Sequence, residues 1–516
     1  MTISNKVDYS LSKGPKRSAE WLWWMTALLG VLGFTVIVFG TFLFKTPLNF
    51  GWSLYDEAFL AYQAGTLDLP ARALRYEGHF TPEGLGYLYQ GLAPLLTRYV
   101  LAPFIDVANQ PLGPFSIWFW ACVGTLSYHR AFYLVLQQAV PAPAVLPASQ
   151  QLLLAAAIWF GAPGLLLIAN LSLYHEPSVL AYAMFGLALM IYVRSVVSGL
   201  PLRWGLVVIA ALSAVALHAR PNIAVGMYLF VLILVVPVIV RFNRIAVWPA
   251  LLSIVLLGAG GFSYLGWNEL RFDEVGAGHG TFSSGPLQYG TTYWIFEYPD
   301  SPRAAAFEQH GRFNIHRIVP NAAFYLFEPP AALTESGSSL ATALHRTVTA
   351  DRLGYIRVEG PGGGVIGLWL PWALLAALGL FALRSQLLFW HAPLAGALCI
   401  AVLTAAYGTI TLRYHFDLWP LIAVLALLGS TRWSPWLMNH SRQGRWLVLS
   451  GLIVGFGLIM NAITAIDYST RWNEWPGSSS AIWTYDYCAE RARTHSLTDE
   501  QIAYSCRAPQ VLYTTP

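Results

Sequence analysis

The feature that most constrains this chain is the recurrence of apolar runs close to 20 residues long, which is about the length a helix needs to cross the hydrocarbon core of a bilayer. Eleven such runs can be placed, at roughly 21–44, 114–136, 150–170, 177–196, 204–219, 222–240, 245–266, 364–383, 387–408, 416–430 and 446–466. The fifth and tenth are short. The first is too long for a cleaved signal peptide and has no small-residue cleavage site after it. Composition agrees. The chain is 56% hydrophobic and 11% charged, against about 25% charged in ordinary soluble domains. That excludes a secreted disulfide scaffold, a disordered chain and a typical soluble enzyme. A dispersed net charge of +4 excludes nucleic acid as a partner. The expected fold class is an all-α polytopic membrane protein with about 11 transmembrane helices.

Lys and Arg collect on the cytoplasmic side of membrane proteins. With the N-terminus in the cytoplasm, the inward segments hold Lys6, Lys13, Lys16, Arg17, Arg130, Arg194, Arg203, Arg241, Arg244, Arg384, Arg432, Arg442 and Arg445, but only Asp8 and Glu20 among acidic residues. An odd span count then places the C-terminal tail outside. The expected organisation is a cytoplasmic tail (1–20) and a seven-helix membrane module (21–266) that includes an outer loop (45–113). A large outer loop (267–363), a four-helix module (364–466) and an outer tail (467–516) follow. The 141–148 stretch reads as an inward turn. Of the four cysteines, Cys122 and Cys399 fall in spans. Cys488 and Cys506 fall in the tail, where an oxidising compartment would let them pair.

The first outer loop carries a helical pattern over 55–64 and an apolar stretch over 84–104 that contains Arg98. Both read as helices lying at the membrane interface. Walker A, GxSxG and HExxH motifs are absent, so a donor dissolved in the bilayer fits better than a nucleotide. Asp56 and Glu57 stand beside the membrane. A carboxylate there can act as general base on an acceptor hydroxyl. Alternatively the pair favours the positive end of a helix capped by Ser53. On a helix the two side chains diverge by about 100°, so they would not share one role. Glu176, in the short outer turn Tyr174-His175-Glu176-Pro177, could complete an acidic pocket with Asp56 or hold a metal with His175, or simply start a helix before Pro177. Arg220, in His218-Ala219-Arg220-Pro221-Asn222, and Arg413, in Arg413-Tyr414-His415-Phe416-Asp417, occupy outer turns where positive charge is disfavoured. Arginine suits phosphate because its planar fork donates two hydrogen bonds; snorkelling is the plainer alternative. His79, His175, His218 and His415 are further pocket or acceptor-side candidates. In the large loop, His310, Arg312, His316 and Arg317 receive no role.

With these residues in view, the chain resembles the GT-C superfamily, integral-membrane glycosyltransferases that use polyprenyl-phosphate-linked sugars. It is similar in layout to bacterial aminoarabinose transferases and protein O-mannosyltransferases. The resemblance covers roughly residues 20–430. It rests on the acidic pair Asp56-Glu57, the interfacial segments of that loop, the turn with Glu176, and Arg413-Tyr414 before a late span. It implies a bacterial inner-membrane enzyme whose donor phosphate is held by Arg220, Arg413 or both. Asp56 would be its base, the acceptor a glycan, lipid or protein, and a divalent metal an optional cofactor. The order Tyr55-Asp56-Glu57 departs from the spaced acidic motifs of oligosaccharyltransferases, which puts metal dependence in question. The alternatives are an O-antigen ligase or polymerase, and a lipid-linked glycan flippase.

Overall fold

The computed structural model describes residues 17–40, 53–139, 146–240, 246–276, 287–294, 301–330, 333, 347, 357–359, 362–437, 443–471 and 483–511. Lys6, Lys13, Lys16, Arg241, Arg244, Arg442 and most of the expected 141–148 turn lie outside these residues.

The protein is an all-α polytopic membrane protein. Among the described residues, seven helices are long and apolar enough to cross a bilayer: Glu20–Phe39, Ala148–Ile168, His175–Ser198, Pro221–Val240, Val247–Phe272, Leu412–Arg432 and Gly444–Ser469. Of the remaining expected spans, Gly113–Ala139 is a 27-residue helix with His129 and Arg130 in its length. The others coincide with the shorter apolar helices Arg203–Leu217, Leu370–Leu383 and Trp390–Ala406. The helices at the rim turn large apolar side chains outward, among them Val240, Trp248, Phe262 and Phe381, each more than 70% exposed. A water-facing surface does not sustain such a belt. Leu412–Arg432 is the most enclosed of the seven. It packs its Trp419 against Tyr128, Trp369 and Trp372 in one core shared by early and late helices.

Local sequence explains the irregular spans. Expected span 150–170 breaks at Gly161-Ala162-Pro163 into Ala148–Phe160 and Pro163–Ile168. Proline cannot donate into the ladder. At the break the carbonyl of Gly161 accepts a 2.8 Å bond from Trp372 Nε1, as a lipid-embedded backbone requires. Residues Leu370–Ala406 are helical throughout, and a straight helix of that length would span about 54 Å. Gly364, six residues before the run, and Ala405 at its far end nevertheless both meet the short helix Ile318–Phe327 or its C-terminal cap. Asn321 Nδ2 donates to Ala405 O at 2.7 Å and Gly364 N to Glu328 O at 2.5 Å. The run therefore doubles back between its two apolar halves. Close helix contacts are set by reciprocal glycines: a Cβ on Gly379 would lie 1.9 Å from Leu425 O, and one on Gly429 1.8 Å from Leu375 O.

The loops gather at one end of the bundle. At the other end, Arg130 and Glu20 pair at 2.7 Å. The expected loop helix over 55–64 is present as Leu54–Gln63. Over 84–104 the expected helix is confined to Leu96–Leu101. Gly84, Gly86, Gly91 and Pro94 interrupt it, and the chain forms strand β2 (Gly86–Leu88), a 3-10 turn (Ala93–Leu95) and a short helix (Leu96–Leu101). Strand β1 (Gly78–Phe80) pairs antiparallel with β2 and with β3 (Gln288–Tyr289), stitching the first loop to the large one. Strand β4 (Arg357–Glu359) pairs parallel with β5 (Thr409–Thr411).

The tail folds into helices Tyr485–Thr494 and Asp499–Ser505, joined by a disulfide between Cys488 and Cys506. It docks on the first loop. Arg72 Nε donates to Trp483 O at 3.0 Å and Ser505 Oγ to Gly84 O at 2.9 Å. The Tyr504 hydroxyl donates to Asp68.

Candidate functional site

A cavity of about 430 Å³ opens at the loop end of the bundle, where several spans begin or finish. Arg220 lies just before helix Pro221–Val240, and Arg413 lies at the start of Leu412–Arg432. Proline at the first position of a helix costs no hydrogen bond, so Pro221 fixes the point at which Arg220 leaves the turn. The cavity wall includes three arginines (Arg220, Arg312 and Arg413) against one carboxylate, Asp417, a formal net charge of +2. Leu265 and Leu403, from two of the apolar helices, complete the wall.

Asp417 neutralises part of this charge. Arg220 Nη2 donates to its Oδ2, and Asn222 Nδ2 donates to the same oxygen at 2.8 Å. Arg220 Nη1 also donates to Ser178 Oγ at 3.0 Å. Arg413 is held by rings: its guanidinium carbon stands 4.3 Å from the centre of Tyr174 and 5.3 Å from that of Tyr414. Stacking of this kind orients a guanidinium plane.

The expected acidic residues converge elsewhere. Arg98 is fully buried and bridges two carboxylates. Its Nε donates to Asp56 Oδ1 at 2.8 Å, and its Nη1 donates to Glu176 Oε1. Nη1 also reaches Pro94 O at 2.8 Å. Asp56 Oδ1 accepts in addition from Leu112 N at 3.1 Å, at the threshold of helix Gly113–Ala139. A carboxylate there faces the positive end of the helix. Burial pushes the Asp56 carboxyl above the usual range, against the opposing pull of Arg98. Glu57 points the other way and accepts from the backbone N–H groups of Gln510 and Val511 at 3.0 and 2.6 Å. Ser53 sits at the N-cap of their helix without a side-chain capping bond.

Asp56, Glu57 and Glu176 do not line the cavity, although Tyr174 and Pro177, which flank Glu176 in sequence, do. The four histidines also lie outside its wall. His79 is buried among Tyr89, Phe272 and Tyr289, and burial holds it neutral by lowering its pKa to about 3. His175 Nδ1 meets Ser172 Oγ at 3.0 Å. His218 Nε2 meets Ser263 Oγ at 2.8 Å, and its Nδ1 accepts from Leu92 N. His415 Nδ1 meets Thr411 O at 3.1 Å. His310 and His316 are likewise outside the cavity wall.

Sequence reasoning gave no role to Arg98, Arg312, Asn222 or Asp417. One signal could have found Arg98: a charge inside an apolar stretch beside the membrane needs a partner, and two unpaired acidic sites were already in view.

No family model matches the sequence. No curated protein matches it. Among solved structures, the chain is similar to the Archaeoglobus fulgidus oligosaccharyltransferase in its apo form, with 12% identity and a TM-score of 0.49, covering 96% of this chain and 61% of that one. It is similar to the archaeal oligosaccharyltransferase AglB from the same organism, in complex with an inhibitory peptide and a dolichol-phosphate, at 13% identity and TM-score 0.46, covering 97% of this chain and 61% of that one. It is also similar to ArnT from Cupriavidus metallidurans bound to undecaprenyl phosphate, at 12% identity and TM-score 0.38, covering 95% of this chain and 85% of that one. The chain thus spans about three-fifths of the archaeal chains it matches.

Proposed function

We propose that this protein is a membrane glycosyltransferase that moves a sugar from a polyprenyl-phosphate donor to an acceptor hydroxyl at the outer face of the membrane. The observation that carries this reading is the cavity itself: a net positive wall with Arg220 and Arg413, continued by Leu265 of the membrane-length helix Val247–Phe272 and Leu403 of the shorter apolar helix Trp390–Ala406. A phosphate on a lipid tail is the ligand whose chemistry matches both halves. The resemblance to GT-C enzymes, drawn from Asp56-Glu57, Glu176 and Arg413-Tyr414, points to the same reaction class.

In this reaction the acceptor oxygen attacks the anomeric carbon and the carbon–oxygen bond to phosphate breaks. The electron pair leaves on polyprenyl phosphate, whose growing charge Arg413 and Arg220 stabilise. The acceptor proton goes to a carboxylate, for which we propose Asp56. Its raised pKa suits a proton acceptor. Arg98 and Leu112 N–H both bond Asp56 Oδ1, whereas Oδ2 is buried and accepts no hydrogen bond among the described residues, so Oδ2 is the oxygen an acceptor hydroxyl would use. A single displacement inverts the anomeric configuration. Glu176 and Glu57 are proposed as supporting carboxylates. Glu176 holds Arg98 in place, and Glu57 ties the catalytic helix to the tail.

The test is transfer of radiolabelled sugar from polyprenyl-phosphate donors to envelope extracts by the purified protein in nanodiscs. Asp56→Asn and Arg413→Ala should each lower transfer about 100-fold or more. Full activity in Asp56→Asn would remove Asp56 as the base. Absence of transfer with every such donor would remove the reaction.

A further inference from the structure

We infer that the Arg98 guanidinium takes the place of a divalent cation between Asp56 and Glu176, so that this carboxylate pair binds no metal and transfer proceeds without one. The statement about transfer rests on the proposed function; the statement about metal binding does not.

Two buried carboxylates from separate segments, brought together beside a cavity, are the charge pattern that Mg²⁺ or Mn²⁺ exploits. Here the position between them is filled. Arg98 reaches Asp56 through Nε and Glu176 through Nη1, and all three side chains are 2% exposed or less. The planar fork of arginine fits two carboxylates with fixed geometry. It stays protonated at any working pH, so deprotonation never vacates the position. The trio carries one net negative charge. The Leu112 N–H on Asp56, at the positive end of helix Gly113–Ala139, offsets part of it. A divalent ion bound in addition would stand beside a guanidinium, two cations with their water removed, so arginine and metal exclude one another. Among the described residues, no group of three or more His, Cys, Asp or Glu is spaced to hold a metal. Arg98 is therefore a positioning residue that fixes the two carboxylates and neutralises one of them.

The experiment measures Mn²⁺ binding to the full-length protein in nanodiscs by electron paramagnetic resonance, independently of activity. Wild type is expected to bind no Mn²⁺ that Asp56→Asn or Glu176→Gln abolishes. Arg98→Ala should gain one site at least about tenfold tighter than any in wild type, and adding Glu176→Gln should remove it. Arg98→Lys, which keeps the charge, should bind as wild type does. A saturable Mn²⁺ site in wild type that Asp56→Asn or Glu176→Gln removes would overturn the inference, and this comparison holds even where Arg98→Ala does not fold. In transfer assays, EDTA should change wild-type rates by less than roughly twofold. Loss of transfer in EDTA with recovery on adding Mn²⁺ would also overturn it. A protein with no transfer at all would fail the proposed function, while the binding result would still decide the cation site.

Discussion

Asp417 gives a prediction with an unusual sign: removing it should tighten the binding of a lipid phosphate. Among the described residues it is the one carboxylate in the cavity wall, and it occupies Arg220 Nη2 and Asn222 Nδ2. Asp417→Asn raises the formal charge of the wall from +2 to +3 and frees Arg220 for a ligand. A unit charge about 6 Å from a phosphate is worth about 3 kcal/mol at an effective dielectric constant near 20. Screening and rearrangement of Arg220 reduce this to about 1–2 kcal/mol, or roughly 5- to 30-fold in affinity. The same substitution leaves a buried guanidinium without its partner, which costs up to about 3–5 kcal/mol in enclosed pairs. Arg220 keeps Ser178 Oγ and is 13% exposed, so the loss here should be smaller. The ligand-free variant should thus melt earlier than wild type and gain more on adding polyprenyl phosphate. The assay is equilibrium binding of a radiolabelled short-chain polyprenyl phosphate in nanodiscs, with thermal unfolding alongside. Arg413→Ala should move affinity the opposite way, by about 10- to 100-fold. Arg203→Ala, outside the cavity, should leave it unchanged. Weaker or unaltered binding in a folded Asp417→Asn protein would refute phosphate binding at this cavity.

Two further outcomes follow from the loops. The disulfide between Cys488 and Cys506 closes an 18-residue separation, which is worth about 3 kcal/mol to the segment it closes. Replacing both cysteines by serine should speed hydrogen exchange across 485–505 while the membrane helices stay protected; unchanged exchange there would show the tail to be held by its other contacts alone. His79 takes up a proton near pH 6.5 in the unfolded chain and near 3 when folded. The unfolded state therefore binds more protons between those values, and stability falls with pH across that window, by about 2 kcal/mol at pH 5. His79→Phe, among the rings of Tyr89, Phe272 and Tyr289, should remove this component and move acid unfolding to lower pH. An unaltered acid transition would count against a neutral His79.

Much of this architecture was legible because membrane spans are written locally. Apolar runs mark the helices whatever their partners. The helix Leu54–Gln63 follows from its own periodicity, whereas the break at Gly161-Ala162-Pro163 falls inside a run read as one span. Arg220 and Arg413 could be picked out as members of the cavity wall, since a cation in a short turn expected to face away from the cytoplasm calls for an explanation. The residues missed are those defined by pairing at a distance. Arg98 meets Asp56 across 42 positions and Glu176 across 78, and Asp417 meets Arg220 across 197. No local pattern encodes such separations. The apolar stretch 84–104 misled because its Gly and Pro were read as breaks between interfacial helices, whereas the glycines admit the strand Gly86–Leu88 before the short helix Leu96–Leu101. The histidines misled for the opposite reason. They looked like site residues, but their neighbours from other segments enclose them.

The most direct test of the account is photolabelling with a polyprenyl phosphate that carries a photoreactive group near the phosphate, followed by peptide mapping. The account predicts saturable label on the peptides around Arg220 and Tyr407–Asp417, competed by unlabelled polyprenyl phosphate and lost in Arg413→Ala. Saturable label confined to another face of the bundle, or label at the cavity that persists in folded Arg413→Ala protein, would contradict it.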